Sequence, residues 1–492
     1  MTRHLKYCFL IIVAGLLFLA APSFGQIGST VYHMYGIPQA NHLNPAFQPQ
    51  CKGHLGMPVL SPLNLNLDLV GIKFGDVIKY NSSLDQMITF MHPLGDKDAF
   101  MSSLKDINLI GTELRIDPIS IGWRQDKYYF TFDWTIRAEQ DFRFTRDFME
   151  FAINQNRNQQ RFNFGGMGID VAAFHEWALG FSYQYEDNLS VGVRGKLLFG
   201  LADLSTKSTD ITLKTEEFEW DVNAANIVQV TAPYLDIPKD EEGKPILDST
   251  DFTFPEYPTP VDFIMQNLGV IMGTGNPGFA VDFGFLYKPI DFLSISASVN
   301  DLGFIRWRKE AYTIEQDGRF TFEGIEIDAG SDLFGGDESD EASDLGEELL
   351  DSLSNQFDAI LTKGPYTSMM AGRGYLGVAY EPLEWIRLGV VDRIKIYNFR
   401  MYNQFTFSAN IQPIRPFSLS LSYSIIGNYY TNFGIGLSLR AGPFNMYIIT
   451  DQGPSAYLMP STFNSFNFRF GLNIVWGCAK IPRKLRDKPL IE

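Results

Sequence analysis

Cysteine is scarce, with three residues at positions 8, 51 and 478. No cysteine pair accompanies the histidines, and no two of His33, His42, His54, His92 and His175 stand at a metal-ligand spacing such as i, i+4. Nothing matches the G-x-S-x-G nucleophile elbow, and no cofactor motif occurs. The sequence therefore predicts no enzyme, no cofactor and no resident metal. Positive charge is also short. Lys and Arg number 40 against 57 Asp and Glu, for a formal charge of −17, which argues against a nucleic-acid partner. Past Gln26 no uncharged apolar run reaches the roughly 18 residues that a spanning helix needs.

What is present begins at the N-terminus. Arg3 and Lys6 precede the apolar run from Cys8 to Ala20, and A-P-S-F-G-Q follows, with Ser23 and Gly25 placed for cleavage. Residues 1–25 read as a secretory signal peptide, too short for an anchor. The position of Cys8, at the start of the run, rules out a lipoprotein. Removal of Arg3 and Lys6 leaves the mature chain more acidic still. An exported chain without spanning helices is either soluble or a barrel. Aromatic residues at 14%, including 41 Phe and 22 Tyr, point to a barrel with aromatic girdles.

Alternation carries the fold assignment, because successive strand residues face opposite ways. Phe466, Phe468, Phe470, Leu472, Ile474 and Trp476 share one face, against Asn467, Arg469, Gly471 and Asn473. Residues 417–425 set Phe, Leu, Leu, Tyr and Ile against four serines. Residues 128–137, 189–199, 293–299, 404–412 and 432–440 repeat the scheme. A sandwich's outer faces would carry more Lys and Glu than Ser, Gly and Asn. Short turns at 125–127, 186–188, 288–291, 381–384, 412–416 and 440–443 each join two such runs. Long polar stretches, notably 205–278 and 304–372, lie between the hairpins. Six hairpins, an opening strand at 54–70 and a closing strand at 463–476 predict an all-β antiparallel membrane-spanning barrel of about fourteen strands. The short turns are then periplasmic and the long loops extracellular. The domain reading is signal peptide 1–25, hatch or plug 26–53, barrel 54–477 and periplasmic tail 478–492.

Residues 310–361 hold sixteen acids and one base, Arg319. Such a density suits a solvated loop or, through carboxylate oxygens, calcium; residues 344–361 read as a short amphipathic helix. The tail carries Lys480, Arg483, Lys484, Arg486 and Lys488. Cys51 and Cys478 flank the first and last strands, so they either pair, in a compartment that permits it, or stay as two thiols. Asp133, Arg137, Arg194, Lys196, Arg440 and Arg469 are expected to point into the lumen. There, charges line a water path or pair with each other and with a plug. Fourteen strands leave a lumen too wide for wall side chains alone to fill, and residues 26–53 are the candidate filler.

Within them, Asn44-Pro45-Ala46 resembles the N-P-A motif near the start of FadL-like fatty-acid-transporter barrels and of the related secretion-associated barrel PorV. D-F-G-F-L-Y-K-P at 282–289, S-V-N-D-L-G-F-I-R-W at 298–307 and G-P-F-N-M-Y-I-I-T-D at 442–451 are similar to an uncharacterised family of Bacteroidota outer-membrane barrels. The resemblance implies a fourteen-stranded barrel with a hatch formed at Asn44, Pro45 and Ala46, and a sideways exit for hydrophobic molecules. It departs from the transporters in its acidic fourth loop, tail and two cysteines. The expected function is a passive channel for hydrophobic or amphipathic small molecules in the outer membrane of a Gram-negative bacterium. The alternative is a scaffold or cargo-binding barrel of an envelope or secretion complex. The expected partners are outer-membrane lipid, a hydrophobic small-molecule ligand and an envelope or secretion protein.

Overall fold

The structure, a computed structural model, describes residues 29–478 apart from 155–159, 216–219, 237–250, 253–268, 323–358 and scattered single or paired positions. The signal peptide, the acidic run 335–344 and the basic residues of the tail lie outside the described residues.

The alternating runs form one closed antiparallel barrel of fourteen strands. In chain order they are β1 (Gly53–Gly56 and Leu63–Val70), β2 (Ile107–Gln125), β3 (Tyr128–Thr145), β4 (Gly168–Glu186) and β5 (Leu189–Thr215). Then come β6 (Pro277–Ile290), β7 (Leu293–Trp307), β8 (Tyr366–Met369 and Gly372–Leu383), β9 (Ile386–Tyr397) and β10 (Arg400–Ile414). β11 (Phe417–Ile426), β12 (Tyr429–Ala441), β13 (Phe444–Thr450) and β14 (Ser465–Trp476) complete the wall. Each strand pairs with the next, and β14 returns to β1 through Gly53↔Trp476 and Leu63↔Phe470. All six expected short turns join consecutive strands at one end.

The period of two sorts the residues as expected. On β14 Asn467 and Asn473 are buried while Trp476 is 45% exposed; on β6 Asp282 is buried while Phe283 is 52% exposed. The outer face is thus apolar, and aromatics stack across it near the short-turn end. Trp123 lies on Phe130 and Tyr128 on Tyr183, with centroids 5.4 and 5.1 Å apart.

Prolines and one left-handed residue break the wall's regularity. β1 is interrupted at residues 57–62, a stretch that contains a cis Ser61–Pro62 bond. Opposite it, Pro118 has no N–H to give the ladder, and the β2–β3 register slips between Ile116 and Ile119. On β7, Asp301 takes φ +60°, a region that Asp tolerates better than most residues. The bulge turns both Asn300 and Asp301 into the lumen, where both are buried.

The long polar stretches differ from simple loops. β5 runs on to Thr215 because S-T-K-S-T-D-I-T-L-K-T is rich in β-branched residues, which favour strands. There it pairs with Trp220–Thr231, which pairs in turn with Ala311–Phe322, extending the wall beyond the barrel. Ala359–Lys363 adds a strand to that sheet. This corrects the expected helix over 344–361 at its C-terminal end. Residues 359–361 pair with 314–316 instead, and 344–358 lie outside the described residues.

Candidate functional site: a segment seated in the lumen

Residues 29–50 run inside the barrel as two short 3-10 turns, Thr30–His33 and Pro38–His42, followed by the Asn44-Pro45-Ala46 turn. The turn is built from its own side chain, with the Asn44 carboxamide oxygen accepting from Ala46 N–H at 2.9 Å. This local bond is what Asn supplies ahead of Pro in a tight turn. The Asn44 amide also donates to the carbonyls of Phe285 and Ala297, each at 3.2 Å. The Leu43 carbonyl accepts from Ser298 Oγ at 2.6 Å and Asn300 Nδ2 at 2.8 Å. Gly192 and Gly284, cross-strand partners on β5 and β6, lie beneath the turn. A β-carbon on either would collide with residues 44–46.

Glycines mark the rest of the seat in the same way. Gly377 and Gly389 lie under Tyr32 and His33, and Gly434 and Gly436 lie under Thr30 and Met34. Thr30 N–H donates to Asp451 at 2.9 Å, and its hydroxyl is 2.6 Å from that of Ser422. Tyr32 stacks on Tyr375, with centroids 5.5 Å apart, and meets Ser296 Oγ at 3.0 Å. Gln39 exchanges amide hydrogen bonds with Asn473 at 2.6 and 3.1 Å.

Charged side chains of the wall form a layer around this segment. Asp301 accepts Lys196 at 2.5 Å, Arg373 at 3.0 Å and Arg137 at 3.2 Å. Lys196 also pairs with Asp282 at 2.8 Å, and Arg137 with Glu176 at 3.2 Å. Arg373 reaches Glu113 and Glu139, each at 3.0 Å. Arg194 binds Asp133 directly. Of the expected lumen charges, the structure brings Asp133, Arg137, Arg194 and Lys196 into or against this layer. Arg469 faces a chamber beside it. Arg440 stands apart at the short-turn end, 3.5 Å from Cys51 Sγ, and Cys51 is joined to Cys478 in a disulfide.

His42 is where the segment meets the layer. Its Nε2 is 3.1 Å from Asp133, and its Nδ1 is 3.2 Å from an Arg115 amino group. Burial, then the charges of Arg194 and Arg115, hold the ring well below its ordinary pKa. A neutral ring fits both contacts, donating to Asp133 and accepting from Arg115. His42, Asp117 and Asp133 gather closely enough to suggest a metal centre. Their geometry does not suit one. The two carboxylates approach opposite ring nitrogens, and each is already held by an arginine, Asp117 by Arg115 at 3.3 Å.

The segment separates two cavities. One, of about 40 Å³, lies on the long-loop side between His42, Arg115, Tyr375 and Arg469. The other, of about 170 Å³, lies toward the short turns and mixes Tyr32, Met34, Ile37 and Phe47 with Lys288 and Arg387.

Sequence reasoning missed Glu113, Arg115, Asp117, Glu176, Asp282, Asp301 and Arg373. The phase of β6 and β8 gives Asp282 and Arg373 away. The inward turn of Asp301 depends on a bulge that alternation does not signal.

Residues 45–451 match the model of a family of unknown function, DUF5723. The chain belongs to that family. No curated protein is detectably similar to it. Among solved structures, the Ralstonia pickettii toluene transporter TbuX is 10% identical at a TM-score of 0.40, over 93% of this chain and 98% of that one. A Pseudomonas aeruginosa FadL homologue is 10% identical at 0.39, over 93% and 100%. The Pseudomonas putida toluene transporter TodX is 11% identical at 0.33, over 92% and 95%. Superpositions this distant say nothing of what the DUF5723 chain carries.

Proposed function

We propose that this DUF5723 barrel lies in an outer membrane and gives small hydrophobic or amphipathic molecules a passive route, with residues 26–53 acting as its hatch. The apolar outer face and its aromatic rows suit lipid. The observation that carries the reading is the division of the lumen by the seated segment. A chamber lies on either side, and the larger is lined by aromatic, aliphatic and charged groups together. An amphipathic molecule suits such a lining better than a purely apolar one. Purified protein in liposomes should speed entry of an amphipathic dye, and a Gly192→Val, Gly284→Val variant that unseats the turn should speed it further. Entry no faster than into empty liposomes, for both proteins, overturns the reading.

One observation favours the scaffold alternative. The hairpin Ile78–Asn81 and Gln86–Thr89, with the residues after it, leaves Tyr80, Met87, Met91 and Leu94 each more than half exposed. Such a patch suits a protein partner. A stoichiometric partner released by Met87→Glu would support it.

A further inference from the structure

The chamber on the long-loop side holds a charge that its surroundings leave unanswered. Lys196 and Arg373 are met there by Asp301 and Glu113, and Arg115 by Asp117. Arg469, on β14, lines the same chamber. Its one hydrogen bond among the described residues is a long one, 3.5 Å to Asn64 Oδ1, and no described carboxylate lies within ion-pair distance. Arg393 enters from β9, its guanidinium 5.9 Å from the Tyr375 ring centre. A guanidinium inside a protein without a counter-charge is expensive. The cavity beside it, about 40 Å³, has room for a few waters or one small anionic group.

We propose that this chamber is a binding site for an oxyanion, a carboxylate or phosphate group, gripped by Arg469 and Arg393 with Arg115 at its edge. The planar guanidinium fork matches both groups in two-point contact. Leu43 and Pro62 are the aliphatic groups at the cavity, so the site takes a hydrophilic head rather than an apolar body. As a binding site this stands on the geometry alone. As an account of which amphipathic molecules pass, it rests on the passage reading and narrows them to acidic ones.

Calorimetry on the full chain in uncharged detergent, titrated with inorganic phosphate and with acetate, tests the site. Saturable binding of either, weakened at least tenfold in Arg469→Gln and in Arg393→Gln but unchanged in Arg319→Gln on the loop sheet, is the expected result. Both glutamine variants must keep the heat-modifiable gel mobility of a folded barrel; if one loses it, the other decides. No saturable binding of either anion, or equal binding in a folded Arg469→Gln, overturns the site. Native mass spectrometry of freshly extracted protein separates the sources. A retained anionic phospholipid assigns the head group to lipid, and a retained small acid assigns it to a solute. Anion binding without dye entry would sink the passage reading and leave the site. Dye entry without anion binding would do the reverse.

Discussion

The two sides of the lumen are both polar and both buried, yet they are built on different principles. From β2 to β8 the inner face carries charges, most of them held by a partner of opposite sign, with Asp301 holding three cations; Asp203 is held instead by the Tyr366 hydroxyl at 2.9 Å. On β10 and β11 it carries Gln404, Thr406, Ser408, Asn410 and the four serines 418, 420, 422 and 424. Some of these bond each other, as Thr406 and Ser424 do at 2.8 Å, but the hydroxyls of Ser418 and Ser420 have no partner among the described residues. Charges desolvated together admit one arrangement, since removing a partner strands the other. Hydroxyls rotate and accept water, so they tolerate several. The charged side therefore fixes the lumen's shape, and the hydroxyl side supplies slack.

Asp301→Ala should break that contrast most severely. Three cations lose a shared carboxylate, and a loss of about 3–5 kcal/mol is expected, read as a drop in the denaturant midpoint of the folded barrel. A loss below 1 kcal/mol would make the charged side as slack as the other. Gly284→Val comes next, adding bulk beneath Asn44 and Ala46. Overpacking costs about 1–3 kcal/mol. Cleavage within residues 29–50 by added protease should rise, while the barrel fragment stays intact.

A smaller effect concerns His33, which is pushed down to about 3 by burial and then by the charge of Arg387. Below the ordinary value of about 6.5 the unfolded chain gains a proton that the seated ring refuses. Stability then falls as pH drops from about 6.5 towards 3, by up to about 1.4 kcal/mol per pH unit. His33→Gln should flatten that slope, and an unchanged slope would remove His33 as its cause. Smallest is Ser420→Ala, expected within about 0.5 kcal/mol of the parent. A larger loss would show a bound water or partner at that hydroxyl.

How far the sequence could be read follows from the same contrast. The closed fourteen-strand barrel and its six turns were legible because period two and turn chemistry are local signals. The inward phase of Asp133, Arg137, Arg194 and Lys196 was legible for the same reason. Their partners were not. Which carboxylate meets which cation depends on register across strands distant in sequence, as between Glu113 and Arg373, and on the bulge at Asp301. His42 reached Asp117 and Asp133 through tertiary placement that no spacing encodes. The Asn44-Pro45-Ala46 turn was visible, but the glycines beneath it read only as small wall residues until the segment was in place.

The Cys51–Cys478 link joins the residues just outside the first and last strands, 427 positions apart, so the wall is a covalent circle as well as a hydrogen-bonded one. Residues 29–50 lie inside that circle and are tethered next to its clasp. They cannot be added by threading into a finished ring without passing through its mouth. Parting the seam at that end would therefore break a covalent bond as well as the strand ladder.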